Sequence, residues 1–364
     1  MINFIKSTFK ILSFNIFVIL IFVFIIEIIF GYWFDKDNFG PYMREHRMKN
    51  QKIEYSDSNE KIVFFYRRNY HGFRGPDVEP KDINAVILGG SVIDERHKPD
   101  KYTITGFLNK SLKKNNDNLV ITNGGVEAQS TAGLIHSFEN WLFKLKDFSP
   151  KIIIFYIGVN DLVLGPDATV EKISRREKQG RTSLGNAHLL NPEKMEAFFD
   201  NVKSRSIIYD SLRIFKFKFL PRKNFVKFDG KIDPNYLKRN IKFKSYEKAV
   251  SEYSNSAVKK KYKKRVDNYL DRIDVLYEHS KNLNSIPIFI TNVVSLGHVE
   301  NIFTMNSALI NHCEVKNYNC IDLARSLKGQ TDFWYDGFHS SKKGSEVIAN
   351  LIYKDLSKIL DKIN

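Results

Sequence analysis

A chain of 364 residues with 57 basic and 41 acidic side chains, net charge +16, is basic enough to raise nucleic acid as a partner. The basic residues are spread rather than gathered in one stripe and no nucleic-acid fold motif occurs, so nucleic acid is set aside; anionic lipid headgroups, an acidic envelope polymer or a lysine-rich solvated surface account for the charge equally well. There is no internal repeat and no low-complexity tract, which leaves one large domain, or a domain with an insertion, beyond the amino-terminal segment.

In chain order, residues 1–10 form a short tail and residues 11–34 an apolar run with one charged side chain, Glu27. At about 1.5 Å per residue that run reaches roughly 36 Å, enough for a hydrocarbon core of about 30 Å. Tyr32, Trp33 and Phe34 close it as an interfacial aromatic belt does. A cleaved signal peptide is the competing reading. The run is longer than a usual signal-peptide core, and no small-x-small site precedes the polar sequence, so a retained transmembrane signal-anchor is expected. Lys6 and Lys10 favour a cytoplasmic amino terminus, while Lys36, Arg44, Arg47 and Lys49 count against it. A short tail before a first helix commonly inserts with the following domain outside the cytoplasm, and that periplasmic or extracellular placement is expected here. A lone carboxylate facing lipid is costly, so Glu27 belongs near the helix end or against a partner.

Residues 35–78 read as a linker, and residues 79–364 as the main domain with a helical insertion at about 165–265. The core starts with a strand at Ala85–Leu88, and a helix from about Thr103 to Lys114 leads to a second strand, Leu119–Thr122. A helix from Ala132 to Lys146 leads to a third strand, Ile152–Ile157. Inside the insertion, Lys172 to Arg181 is polar and charged. Phe198, Phe199, Val202, Ile207, Ile208, Leu212 and Phe215 then give broken amphipathic spacing, read as helices over the rim of the sheet. The main fold resumes with helix Tyr269–Lys281, strand Ile286–Thr291, helix Met305–His312, strand Cys320–Leu323 and a closing helix that includes Tyr353 to Leu360.

Four short segments sit in one register on this frame: Leu88-Gly89-Gly90-Ser91, Asn123-Gly124-Gly125, Gly158-Val159-Asn160-Asp161 and Asp336-Gly337-Phe338-His339. The first three follow strands, and in an open parallel sheet the carboxyl ends of strands face one crevice. Ser91 has the chemistry of a nucleophile and His339 that of its base. Asp336, three residues earlier, shares a face with His339 on a helical turn and holds one imidazole tautomer. The backbone N–H groups of Ser91 and Gly125 and the side-chain amide of Asn160 can serve a developing oxyanion. Taken singly these are turns and caps: Gly-Gly-Ser a βα turn, Asn-Asp a loop, Asp-x-x-His a solvated pair. Jointly they supply every role of a nucleophilic acyl transfer. Asp161 reads as a turn residue rather than a second acid, and Asp94, Glu95 and His97 as exposed loop residues.

The order Ser, Gly, Asn, His, with an Asp three before the His, resembles the SGNH (GDSL-type) hydrolase family. Gly90 stands where an Asp is common, a variant frequent among the bacterial membrane-anchored members, and Asn69-Tyr70-His71-Gly72-Phe73-Arg74-Gly75 is similar to the GFRG segment preceding their catalytic domain. The resemblance covers roughly residues 69–165 and 285–355. It implies a flavodoxin-like three-layer α/β/α domain with a five-stranded parallel sheet, no metal and no organic cofactor, and it leaves the ester open. An α/β-hydrolase elbow is excluded because Ile93 holds its second glycine position, and no dinucleotide fingerprint follows the first strand.

A membrane-anchored esterase that removes acetyl or other short acyl groups from an envelope or exported glycan is the leading expectation. An acyltransferase onto a sugar hydroxyl, a lipase or lysophospholipase, and a non-catalytic glycan-binding protein are the alternatives. Cys313 and Cys320 are not spaced as a zinc site. They lie across a short helix-to-strand turn where either a disulfide or two buried thiols fits.

Overall fold

A computed structural model of the chain describes residues 2–31, 33–34, 50–57, 60–69, 71–115, 117–127, 129–164, 202, 206–209, 211–212, 226–230, 243–328 and 331–363. The chain divides into two units, Met1–His46 with Leu184–Lys223, and Arg47–Ser183 with Asn224–Asn364.

In the first unit, helix α1 spans Ile2–Phe30, and its part from Phe9 to Phe30 is long and apolar enough to cross a membrane. Glu27, the one acidic residue of this stretch, lies in the last turn. Its carboxylate accepts from Trp33 Nε1 at 3.0 Å, from Ser206 Oγ at 2.5 Å and from the N–H groups of Ile207 and Ile208, each at 3.2 Å. Those backbone donors open a helical turn, where a carboxylate is the natural cap. Both expectations for Glu27 hold together: it is near the helix end, and its partner is a segment of the same chain. Tyr32 falls outside the described residues.

The second unit opens with a hairpin, β1 (Asn50–Ser56) and β2 (Lys61–Arg67), paired antiparallel. The main fold then runs β3 (Ala85–Gly89), α2 (Ser91–Asp94), α3 (Ile104–Lys114), β4 (Ile121–Asn123), α4 (Thr131–Asn140) and β5 (Ile152–Tyr156). After a short strand, β6 (Val226–Asp229), come α5 (Tyr246–Tyr253), α6 (Ser256–Asn282), β7 (Ile286–Ile290) and α7 (Glu300–Lys316). The chain closes with β8 (Asn319–Ile321), α8 (Leu323–Ser326) and α9 (Lys342–Ile363).

The five-stranded sheet has the order β4-β3-β5-β7-β8, every pairing parallel. Counted along the chain this is 2-1-3-4-5, the doubly wound order whose switch point lies between its first and third strands, here β3 and β5. Such strands are covered on both faces, which is why they read as unbroken apolar runs: every residue of β3 and β5 is buried. Helices α3 and α9 pack together over the face carrying Ala85, Ile87, Ile152, Ile154, Ile288 and Ile290. Helix α6 packs against both α4 and α7, and the Phe138 ring of α4 meets Phe155, which stacks on Phe289 at 5.0 Å. The expected α/β architecture with five parallel strands is the one observed.

The hairpin occupies residues that read as linker. On β2 the outward set holds Val63 and Phe65 beside Lys61 and Arg67, while Ile62, Phe64 and Tyr66 face inward. Apolar residues on both sides blur the two-residue period by which a strand is read. Strand β6, from inside the insertion, lies parallel to β1 from Ile53↔Val226 to Ser56↔Asp229. Helix α6 starts at Ser256, with Asn255 capping Val258 N–H at 3.0 Å, well before the expected Tyr269. Its first turns are dominated by the exposed Lys259, Lys260, Lys261, Lys263 and Lys264, beside which the half-buried line of Val258, Tyr262 and Val266 is too narrow to stand out. Most of the expected insertion, including Lys172–Arg181, Phe198, Phe199 and Phe215, lies outside the described residues. A disulfide joins Cys313 of α7 to Cys320 of β8, with the Cα atoms 6.3 Å apart.

Candidate active site

Strand β3 ends at Gly89 and the chain turns at once into α2, so Ser91 stands at the carboxyl edge of the sheet, at the switch point. Its Oγ is 2.8 Å from His339 Nε2, and His339 Nδ1 is 2.7 Å from Asp336 Oδ2. The sequence places Asp336 and His339 on a helical turn, whereas the chain there is a loop. Backbone bonds from Tyr335 N–H to His339 O (3.1 Å) and from Ser341 N–H to Phe333 O (2.8 Å) close it. The same pairing arises differently: Asp336 Oδ1 accepts the N–H groups of Phe338 and His339 at 2.8 and 2.7 Å, folding the carboxylate back onto its own imidazole. Burial alone would raise the Asp336 carboxyl, but hydrogen bonds from the His339 ring and from these two N–H groups hold it below its ordinary value.

Asn160 follows β5 across Gly158, whose φ of 122° is open to glycine and strained for other residues. The Asn160 Nδ2 donates to Gln129 O at 2.8 Å, which leaves its second proton for a ligand. This amide lies against the backbone just before Ser91, because a Cβ added to Gly90 would stand 2.1 Å from Asn160 Nδ2. Glycine at this position has a steric reason in this chain: a side chain there displaces the Asn160 amide. Gly125 is packed onto α2, where an added Cβ would meet Asp94 N at 2.5 Å. Its N–H, however, donates to Asn123 Oδ1 at 3.0 Å. Of the expected donors, the structure sets Asn160 beside the Ser91 turn and engages the Gly125 N–H with a neighbouring side chain.

Three residues read as exposed loop behave otherwise. Asp94 and Glu95 are buried and His97 is half-buried. Asp94 Oδ1 accepts from Arg68 Nη2 at 2.6 Å and from Tyr66 hydroxyl at 2.7 Å. Burial opposes this charge, but Arg68, Arg74, the Tyr66 bond and Arg96 keep the carboxyl below its usual range. Arg74, from the GFRG segment, donates through Nε to Asp100 at 2.7 Å and through its two terminal nitrogens to the carbonyls of Asp94 and Lys98. That guanidinium satisfies carbonyls left open at and just after the end of α2, and so holds the turn that carries Ser91. Periodicity gives no sign of such long-range charge partners. The resemblance of residues 69–75 was the only available signal.

Asp161, read as a turn residue, instead ties three elements together. It accepts from Thr131 N–H at 3.2 Å and from Thr131 Oγ1 at 2.5 Å, and lies 3.4 Å from Arg272 Nη2 on α6. Burial raises its carboxyl despite the arginine, and its bonds anchor the loop that presents Asn160.

A row of rings borders His339. Tyr335 lies parallel to the His339 imidazole at 5.6 Å, Phe228 of β6 meets Tyr335 edge-on at 5.1 Å, and His97 stacks on Phe228 at 4.8 Å. All three of these rings are partly exposed, and burial, with Arg96 next, lowers the His97 imidazole below its ordinary value. No motif marks Phe228, which comes from inside the expected insertion, far along the chain from both Ser91 and His339. Among the described residues no group of three or more His, Cys, Asp or Glu is placed to hold a metal ion.

No family model matches the chain and no curated protein matches it. Among solved structures it is similar to a psychrotrophic esterase from Pseudoalteromonas, at 11% identity over 76% of this chain and 99% of that one, TM-score 0.42. It is similar also to an acetyl-xylooligosaccharide esterase from Geobacillus Stearmophilus, at 12% identity over 74% and 92% of the two chains, TM-score 0.40. A member of the lipolytic protein G-D-S-L family from Veillonella parvula matches at 12% identity over 74% and 96%, TM-score 0.37. Likeness at this level says nothing about activity, which has to follow from this chain's own atoms.

Proposed function

We propose that this chain is a membrane-anchored serine ester hydrolase of the SGNH type, acting on acetyl or other short acyl groups of an envelope or exported glycan. The observation that carries the reading is the continuous hydrogen-bonded line from Ser91 Oγ through His339 to Asp336, at 2.8 and 2.7 Å. In the first half-reaction Ser91 Oγ attacks the acyl carbonyl and its proton passes to His339 Nε2. Asp336, held ionised, steadies the imidazolium. Collapse of the tetrahedral intermediate expels the alcohol, which takes that proton and leaves an ester on Ser91. Water then gives a proton to His339 as it attacks, and the carboxylic acid leaves with Ser91 restored.

The oxyanion is served by the Ser91 N–H and Asn160 Nδ2, and by the Gly125 N–H when it is shared with Asn123 Oδ1. The partly exposed rings of Tyr335 and Phe228 favour a sugar, whose C–H faces stack on aromatic surfaces, over a long acyl chain. Placement outside the cytoplasm is supported by the apolar α1 and by the Cys313–Cys320 bond, since disulfides persist in oxidising compartments.

An acyl-chain-length series of activated esters, run with and without a glycan acceptor and with products identified, tests the reading. Acetyl esters should turn over fastest, with free acid as product, and Ser91→Ala should abolish turnover. Acyl-sugar as the main product makes the chain an acyltransferase, a rate rising steadily with chain length makes it a lipase, and full activity in the serine variant removes the site.

A further inference from the structure

We infer that Lys98 is a positioning residue of the proposed hydrolysis: its ammonium ties the segment that carries the nucleophile to the segment that carries the base. The inference rests on the serine-hydrolase reading. Ser91 and His339 are 248 positions apart, so their 2.8 Å contact exists only if two unrelated stretches of chain are held in register. After α2 the chain turns at Glu95, in the left-handed region at φ 43°, and reaches Lys98. Lys98 Nζ donates to Glu95 Oε1 at 2.5 Å, to the main-chain carbonyl of Ser340 at 2.7 Å and to Ser345 Oγ, with Ser340 Oγ at 3.3 Å. Three ammonium protons therefore have partners, and the Lys98 and Glu95 side chains are 2% and 3% exposed.

The acceptors say what the cluster is for. Ser340 is the residue after His339, and Ser345 lies in the first turns of α9, the helix that follows the base. Glu95 completes the knot by accepting from Ser345 Oγ at 2.8 Å, Ser340 Oγ at 3.2 Å and the N–H of Ile104 at 2.5 Å. On the other side of His339, Gly337 O accepts from Ser295 N–H at 3.2 Å and Ser295 Oγ at 2.9 Å. The histidine is thus pinned on both flanks, and the pins after it, made by the Lys98 ammonium and the Glu95 carboxylate it holds, lead back to Ser91. Arg74, donating to the Lys98 and Asp94 carbonyls, fixes that end. A buried ion pair is a weak source of stability, because well-packed apolar residues of similar size do as well or better. What apolar residues lack is direction, and a misplacement of about 1 Å near reacting atoms costs about 10²-fold in rate.

The full-length protein in detergent, assayed with an acetyl ester, tests this through Lys98→Met, the double variant Lys98→Met/Glu95→Gln, and Ser91→Ala as control. Lys98→Met leaves a buried carboxylate unpaired, so both its melting temperature and its kcat should fall. In the double variant the stranded charge is gone, and the amide oxygen introduced at position 95 still accepts from the Ile104 N–H. Melting temperature should then return toward wild type while kcat stays at least about tenfold low with KM little changed. Recovery of kcat together with stability, or a loss confined to KM, overturns the positioning role. Should Lys98→Met fail to fold, Ser345→Ala removes one acceptor without stranding a charge. A fall in kcat at unchanged melting temperature supports the inference, and wild-type kcat overturns it. Full turnover in Ser91→Ala instead overturns the hydrolase reading itself, whatever Lys98 does.

Discussion

At the scale of single residues, the site depends on one steric permission. Gly90 has no side chain, and the Asn160 amide occupies the space one would need. Asn160→Ala should lower kcat by about 10²- to 10³-fold with KM little changed, since in the proposed reaction its donor acts mainly on the developing oxyanion. Gly90→Ala should cost a comparable amount by a different route, pushing the amide aside. Because both changes remove the same donor, the double variant should be scarcely worse than either single one. Losses that simply multiply would mean that Gly90 acts on something other than Asn160. The motif letters at 88–91 and 158–161 were legible from the start; that one makes room for the other was not, because that contact joins turns after two different strands.

Among the elements, α7 and β8 are joined by the only covalent crosslink of the described residues. The helix ends in a left-handed Asn317, at φ 56°, and Tyr318 lies over Tyr277 with ring centroids 3.8 Å apart. Closing so short a loop contributes roughly 2–3 kcal/mol on the chain-entropy model, most of it by restricting the unfolded chain. Reduction, or Cys313→Ser with Cys320→Ser, should therefore lower the melting temperature and leave KM for an acetyl ester unchanged, as neither residue borders the triad. Thiol labelling of unfolded, non-reduced protein taken from its native membrane should find no free thiol. Two free thiols would remove the bond and one support for an extracytoplasmic domain. The short separation of the cysteines was visible in the sequence, which left a bond and two buried thiols equally open. Packing of α7 beside β8 brings their Cα atoms within bonding reach.

Across the whole molecule, the buried titratable groups set how stability should follow pH. Burial lowers the imidazoles of His97, His279 and His298, so all three resist protonation in the folded chain. The unfolded chain, with ordinary histidines near about 6.5, binds more protons in that range, and stability therefore rises with pH there. As pH falls from about 7 toward 5, the melting temperature should drop. Asp94 and Asp336 are held below their usual range, so their contribution is present above about pH 4 and is lost only as pH falls through their folded values. Thermal melts from about pH 8 to pH 3 should show two successive declines. His279→Gln with His298→Gln should flatten the first and leave the second. Because the raised Asp161 carboxyl acts in the opposite sense, the comparison decides: equal slopes for the wild type and the double histidine variant between about pH 7 and pH 5 would contradict the assignment of these imidazoles.

By itself the sequence determined what repeats at short range. Apolar runs announced β3, β5 and β7, because parallel strands buried on both faces need unbroken hydrophobic stretches. The residues just past the strands named Ser91 and Asn160, because a doubly wound sheet brings strand ends to one rim, and the Asp-x-x-His spacing named Asp336 and His339. Only the tertiary structure decided what joins distant segments. It put β6 beside β1, carried Phe228 to the ring of Tyr335, buried Asp94 and Glu95 against Arg68 and Lys98, and turned the Gly125 N–H toward Asn123. Periodicity records which face of an element is buried, but not which charge or ring from elsewhere in the chain will meet it. Those partners are chosen by packing, and packing exists only once the chain has folded.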